Sequence, residues 1–247
     1  MPRPVTRDLN AAARPTLMQE MRSLLATAVF AFVTASTGAH AEEWDTVLTG
    51  PITIKNRALA GSSIKEVWAE SDIDAPVFDL QETLMRVERF RFFMPYLKDS
   101  REIEKLPDGS VYVYTLIDLP VVGKRDYVVR TWHLQVVKPG EATPFENKWE
   151  AFPDRLPGRS GITRLRLNSG SWLVTPLGDG TKSHVVYRFT VDPGGWLPGF
   201  AVNLGNEKGV GDTIHGVERE AQRRYRERMA SAADAGVVAA DAGSPGR

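Results

Sequence analysis

The chain has 247 residues, of which 42% are hydrophobic, and its 31 basic and 31 acidic side chains leave a formal net charge of zero. This balance offers no basic surface for nucleic acid, so no nucleic-acid partner is expected. With no cysteine, the sequence excludes disulfides, thiolate metal sites, a cysteine nucleophile and a lipidated cysteine anchor.

Near the N-terminus, Arg22 precedes an apolar run over residues 24–33, and Ala39-His40-Ala41 supplies a small-x-small site. That is the layout of a cleavable secretory signal peptide. The run is shorter than the roughly 20 apolar residues needed to cross a bilayer. A short buried helix is the alternative reading. Residues 1–20 stand ahead of the charged region, which is consistent with a start at Met18 or Met21. Cleavage after Ala41 removes four arginines and two acids and leaves a net charge of −2. The expected location is the periplasm or the exterior.

Residues 42–48 predict a short helix ended by Thr49-Gly50-Pro51. Residues 52–54 and 64–70 read as two strands joined through Ala60-Gly61-Ser62-Ser63. Asp74-Ala75-Pro76 resembles a helix start, with an acidic cap and a proline in the first turn. Val77, Leu80, Leu84 and Val87 follow at helical spacing, with Asp79, Glu82, Arg86 and Arg89 on other faces. The helix is expected to end before the aromatic group Phe90, Phe92, Phe93 and Pro95.

Strands are then expected over 101–106, 111–119, 126–137, 145–152, 163–167, 169–175 and 184–191. Pro107-Asp108-Gly109, Pro139-Gly140, Pro157-Gly158 and Leu177-Gly178-Asp179-Gly180 mark turns between them. Asp192-Pro193-Gly194-Gly195 stops the last strand, and Trp196-Leu197-Pro198 anchors the turn into a long helix. In that helix Val210, Ile214, Val217, Ala221 and Tyr225 share a stripe. Gly205, Gly209, Gly211 and Gly216 each cost about 1 kcal/mol relative to alanine. They point to a helix start that is mobile or closely approached, or to a loop that runs on to Val210. Residues 231–247 lack periodicity and read as a disordered tail, which leaves 42–230 as the domain.

Two helices separated by seven or more antiparallel strands make an α+β fold. One helix cannot fill the concave face of a strongly curved sheet, so a cavity is expected between them.

Three stretches carry a family resemblance. Arg125-Asp126-Tyr127-Val128, residues 169–180 (Ser169-Gly170-Ser171-Trp172 through Gly180) and Asp192-Pro193-Gly194-Gly195-Trp196-Leu197-Pro198 with Asn203 together resemble the START (StAR-related lipid-transfer) domain, over about residues 45–228. The resemblance implies a helix-grip fold, in which a curved sheet grips the C-terminal helix over an apolar tunnel. It implies a gate at residues 119–124, with Leu119, Val121 and Val122 capping the cavity or touching a membrane; a buried strand end is the competing reading. Some members hold a buried acid–arginine pair in the tunnel. The corresponding positions here are Thr115 and Thr131, with Arg130 adjacent, and a neutral pair suits a ligand with a hydroxyl or keto group. Val129, Trp149, Val210, Ile214 and Val217 complete the expected ligand contacts. Trp68, Trp132, Trp149 and Trp172 line the cavity or belong to the core.

No His-Glu-x-x-His pair, Gly-x-Ser-x-Gly elbow or phosphate loop occurs. No catalytic residue, metal or cofactor is therefore expected. The resulting expectation is a monomeric, non-enzymatic carrier of a lipid or other hydrophobic small molecule, with transient membrane contact. The alternative is a cyclase or aromatase acting on a polyketide-like substrate, with His133 and Arg130 as its acid–base pair.

Overall fold

The computed structural model describes residues 43–62, 64–120, 123–195 and 208–242. Ten strands form one curved sheet: β1 (Asp45–Leu48), β2 (Ile52–Ala58), β3 (Lys65–Ile73), β4 (Leu97–Lys105), β5 (Val111–Leu119), β6 (Gly123–His133), β7 (Phe145–Ala151), β8 (Thr163–Arg164), β9 (Asn168–Leu177) and β10 (Lys182–Val191). The order across the sheet is β1-β2-β3-β10-β9-β7-β6-β5-β4, with the two-residue β8 parallel to β6. The other pairings are antiparallel. β3 and β10 meet in the middle, from Ile73↔Ser183 to Glu66↔Thr190. From β3 the chain crosses to the far edge through α1 (Val77–Met85) and a 3-10 turn (Val87–Phe92), and after β10 it ends in α2 (Gly209–Ala242).

Several expectations are corrected. Residues 45–48 form a strand and no helix. The segment is too short to repay helix nucleation and carries β-branched Thr46 and Val47, while the edge of β2 offers partners. Pro76 occupies the N-cap of α1 without a side-chain cap, and Asp74 is instead paired with Lys182 at 2.7 Å. Asp79 is only 2% exposed and accepts two hydrogen bonds from Arg228 of α2, at 3.1 and 2.6 Å. α1 stops at Met85, and Val87 belongs to the following 3-10 turn. β6 ends at His133, short of Val137, whose backbone N–H and C=O pair with the Gln81 side chain at 2.6 and 2.9 Å. The tail expected from residue 231 is helical to Ala242, in keeping with its alanine content.

The core is lopsided. Ile54 and Val67 of β2–β3, Leu80 of α1, Phe145 of β7, Val185 of β10 and Ile214 of α2 belong to one buried cluster. The β5–β6 half contributes a much smaller one, Val87, Val113 and Val129. Of the expected stripe on α2, Val210, Ile214, Val217 and Ala221 are buried, whereas Tyr225 is half-buried. Gly216 lies where α2 crosses residue 93: a Cβ there would sit 2.2 Å from the Phe93 carbonyl oxygen. Gly211, one and a half turns earlier, has nothing within 4 Å.

These two glycines should respond oppositely to the same substitution. Gly211→Ala is expected to stabilise the fold by about 0.5–1 kcal/mol through helix propensity. Gly216→Ala should destabilise it by about 1–3 kcal/mol, because a backbone carbonyl cannot move aside as a side chain can. Chemical denaturation of both variants checks this. Equal effects at the two positions would remove the close crossing as a constraint.

Candidate ligand-binding cavity

The period of two along β5 and β6 decides which side chains face the helices. Val113 pairs with Val129, Thr115 with Tyr127 and Val111 with Thr131, which sets these odd-numbered positions on the concave face. Beneath the helices lie two adjoining lobes, of about 120 Å³ and about 230 Å³. The first is walled by Val113, Thr115, Val129, Thr131, Trp149 and Trp172, and the second by Leu97, Ile117, Leu119, Leu165, Phe189 and Val210, among others. Tyr127, Asn168, Tyr187 and Thr213 line both. No described residue lining either lobe carries a formal charge.

The structure sorts the expected contacts. Thr115, Val129, Thr131 and Trp149 line the first lobe, and Val210 lines the second. Ile214 and Val217 are core residues that reach neither lobe; from α2, Gly209 and Thr213 do so instead. Arg130 is a correction. Alternation turns it to the opposite face, where it donates to Ser110 Oγ at 2.9 Å and to Asp108 Oδ2 at 2.5 Å. Leu119 and Pro120 border the second lobe, while Val121 and Val122 lie outside the described residues. Trp196 and Asn203 lie outside them too. Trp172 faces the cavity, whereas Trp68 sits out of phase with buried Val67 and Ala69 and donates to Glu70 Oε2 at 2.9 Å. His133 lines a smaller recess of about 100 Å³ with Glu102, Lys105 and Trp132. The proposed His133–Arg130 pair is therefore not brought together.

The polar groups of the cavity are neutral and mostly committed. Thr131 Oγ1 shares its proton between Asn147 Oδ1 and the Lys148 carbonyl, both at 3.0 Å. Thr115 Oγ1 is 3.4 Å from Ser100 Oγ. Trp149 Nε1 donates to Asn168 Oδ1 at 2.9 Å, and its ring has room because Gly170 lies opposite: a Cβ there would come 2.5 Å from the indole. Tyr187 stacks on Trp172 with centroids 4.0 Å apart and 8° between planes. Burial pushes the Tyr187 phenol well above its ordinary range, and the nearby Tyr127 raises it further. Burial likewise raises Tyr127, opposed by a hydrogen bond from Thr115. Sequence reasoning missed both tyrosines as site residues, although Tyr127 stands in the Arg125–Val128 stretch and Tyr187 in the strand expected over 184–191. Their odd-number phase with Val129 and Phe189 was the available signal.

The same stretches have structural duties. Arg125, 3% exposed, donates from Nε to the Pro193 carbonyl at 3.0 Å and so ties the start of β6 to the end of β10. Asp126 is fully buried and takes two hydrogen bonds from Arg164, at 2.8 and 3.0 Å. That pair raises the Arg164 pKa. Asp192 Oδ1 accepts from the Gly194 N–H at 2.9 Å, and Gly194 and Gly195 both adopt positive φ, 64° and 66°. This geometry requires the glycines.

Solved structures share this arrangement. A STAR-related lipid transfer protein from Xanthomonas axonopodis matches 72% of this chain and 98% of its own, with 25% identity and a TM-score of 0.62. The chain has a START-like helix-grip fold. Human STARD10 covers 89% of this chain and 84% of its own at 15% identity and a TM-score of 0.64. Human StAR-related lipid transfer protein 5 covers 83% and 93% at 14% identity and a TM-score of 0.63. No family model and no curated sequence matches the chain. In this START-like fold the two lobes occupy the space between the sheet and the gripped helix, bounded by β5, β6 and α2.

The raised tyrosines set a pH dependence. Unfolded tyrosine ionises near pH ~10, whereas Tyr127 and Tyr187 stay protonated above it in the folded chain. Above that pH the unfolded state binds fewer protons, so their contribution is intact below about pH 10 and is lost as pH rises. The Tyr127→Phe, Tyr187→Phe double variant should therefore lose less stability between about pH 8 and pH 11 than the parent. Denaturant titrations at the two pH values measure this. Parallel losses would place both phenols in contact with solvent.

Proposed function

We infer that the chain binds a neutral hydrophobic molecule, such as a lipid, in the two-lobed cavity and carries it in the cell envelope without covalent chemistry. The observation that carries this reading is the uncharged lining of a cavity held between the sheet and α2. The two lobes together reach the lower end of the roughly 300–1,000 Å³ typical of ligand pockets. Burying ten methylenes contributes about 8 kcal/mol before ordering costs, so affinity needs no covalent bond. The outward Arg130 removes half of the acid–base pair on which a cyclase-like reading drew.

The envelope location rests on the N-terminal pattern of Arg22, the apolar run over 24–33 and Ala39-His40-Ala41. Transient membrane contact is supported at two places bordering the cavity. Leu119 and Pro120 close one end of the second lobe. Exposed Phe92, with the Arg89 and Arg91 guanidiniums 5.4 and 4.7 Å from its ring centre, leads into cavity-lining residues 94–97.

Native mass spectrometry of the full-length product, purified from the envelope fraction of the expressing cell, tests the reading. The expected result is a chain beginning at Glu42 with an intact, non-covalently held lipid. Leu119→Asp should slow transfer of that lipid between vesicles severalfold while leaving the far-UV spectrum unchanged. A ligand-free protein that turns over an added aromatic polyketide precursor would reverse the assignment.

A further inference from the structure

The two lobes meet at Tyr127, Asn168, Tyr187 and Thr213, which makes this waist the one place that a ligand spanning both must pass. Thr213 has already spent its proton on the Gly209 carbonyl, at 2.7 Å within α2. Tyr127 interacts with Thr115. The remaining two residues hold donors without partners. An indole N–H can only donate, so Trp149 pins the Asn168 side-chain oxygen toward itself and leaves the Asn168 amide NH₂ as the free end. Among the described residues that NH₂ has no acceptor, and the Tyr187 hydroxyl makes no hydrogen bond. Neither side chain can swing away. Tyr187 is clamped between Trp172, at 4.0 Å, and Phe189, at 4.7 Å. Asn168 is fixed by the indole and by its place in β9, opposite Val191.

Two rigid donors in an apolar, uncharged passage leave a hydrogen-bonding debt that an alkyl chain cannot settle. A ligand that drives water out of this passage without offering an acceptor leaves these two half-buried donors unsatisfied. A carboxylate would have to leave water with no cation among the lining residues to receive it. An ammonium would likewise have to leave water with no carboxylate among the described lining residues to pair with it. We propose that Tyr187 and Asn168 form a subsite for one uncharged hydrogen-bond-accepting oxygen, a ketone or ester carbonyl or an ether, carried partway along an otherwise apolar ligand whose two ends fill the two lobes. This rests on the cavity being a ligand site, and it adds the position and chemistry of the ligand's polar group.

Displacement of the neutral dye Nile red from the purified full chain, by decane, 5-decanone and decanoate, provides the test. In the parent protein 5-decanone and decane should both displace the dye, and decanoate should do so least. Tyr187→Phe keeps the ring and its stacking and removes only the hydroxyl. It should weaken 5-decanone about tenfold and leave decane unchanged. Asn168→Asp still accepts from Trp149 but exchanges the NH₂ for a charged oxygen, and should weaken 5-decanone at least as much. This second variant serves if the first proves unstable. Equal shifts for ketone and alkane in both variants, or decanoate as the tightest competitor, would overturn the subsite while leaving the cavity reading in place. Failure of Nile red and all three competitors to bind the parent protein would overturn both.

Discussion

Two helices must cover the concave face of a ten-stranded sheet, and the way they divide that work governs the rest of the structure. α1 and the buried stripe of α2 pack over β2, β3, β10 and β9, where they enclose the main core. Over β5 and β6, among the described residues, Val87 and half-buried Phe90 of the intervening 3-10 turn pack in a small cluster with Val113 and Val129. Protein interiors are otherwise close-packed, so space of this size persists only where no element is available to fill it. Among the described residues the cavity is thus a consequence of too few helices for the curvature. Its walls are whatever β5, β6, β9 and β10 present on their inner faces.

The cover is held down by charge as well as by apolar contact. Asp79 of α1 is clasped by Arg228 of α2. About two turns earlier on the same helix, Glu220 gathers Arg89, Arg223 and Arg224. Burial acts to raise the Glu220 pKa, yet its hydrogen bonds from Arg223 and the surrounding guanidiniums bring it below the ordinary range. Arg224 shows the cost of that crowding: burial lowers its pKa and its Nε has no hydrogen-bond partner. Breaking one member of such buried pairs costs several kcal/mol, because the other is left charged and dry. These pairs join α2 to α1 and to the 3-10 turn, the elements that roof the main core. The start of α2, over the cavity, is secured chiefly by Val210, Ile214 and the tight crossing at Gly216.

Much of this was legible in the residues, and the failures have physical causes. Alternation located nearly every long strand, because one face of each is buried and the period of two is strict. The stripe on α2 was readable for the same reason at a period of 3.6. Alternation cannot by itself say which phase faces inward, however, and Arg130 was expected in the cavity together with its neighbours Val129 and Thr131, which three consecutive strand positions cannot all satisfy. Asp79 read as a surface charge because its partner Arg228 lies 149 positions away. The edge strand β1 read as helix because only the long-range pairing with β2 decides so short a segment. Tyr127 was visible as a motif residue and Tyr187 as a strand residue, but their role depends on the meeting of β6 and β10 across the cavity, which no local pattern encodes.

The three recognisable stretches can now be understood as one piece of architecture. Arg125 reaches from the start of β6 to Pro193 in the turn that ends β10, and Asp126, its neighbour on the opposite face, secures the 153–164 connection through Arg164. Tyr127, next in sequence, returns to the inner face and lines the waist. The charged residues of the stretch are thus spent on fixing the strand ends, and the uncharged one is offered to the cavity. The same partition holds for β10, where Arg188 is engaged with Glu66 while Tyr187 and Phe189 look inward. A binding surface whose described lining residues carry no formal charge gives a modest change in acidity no charged group by which to expel a ligand. In the proposed reading, release of a ligand calls for movement of the elements that border the second lobe, among them Leu119, Tyr96 and the first turn of α2.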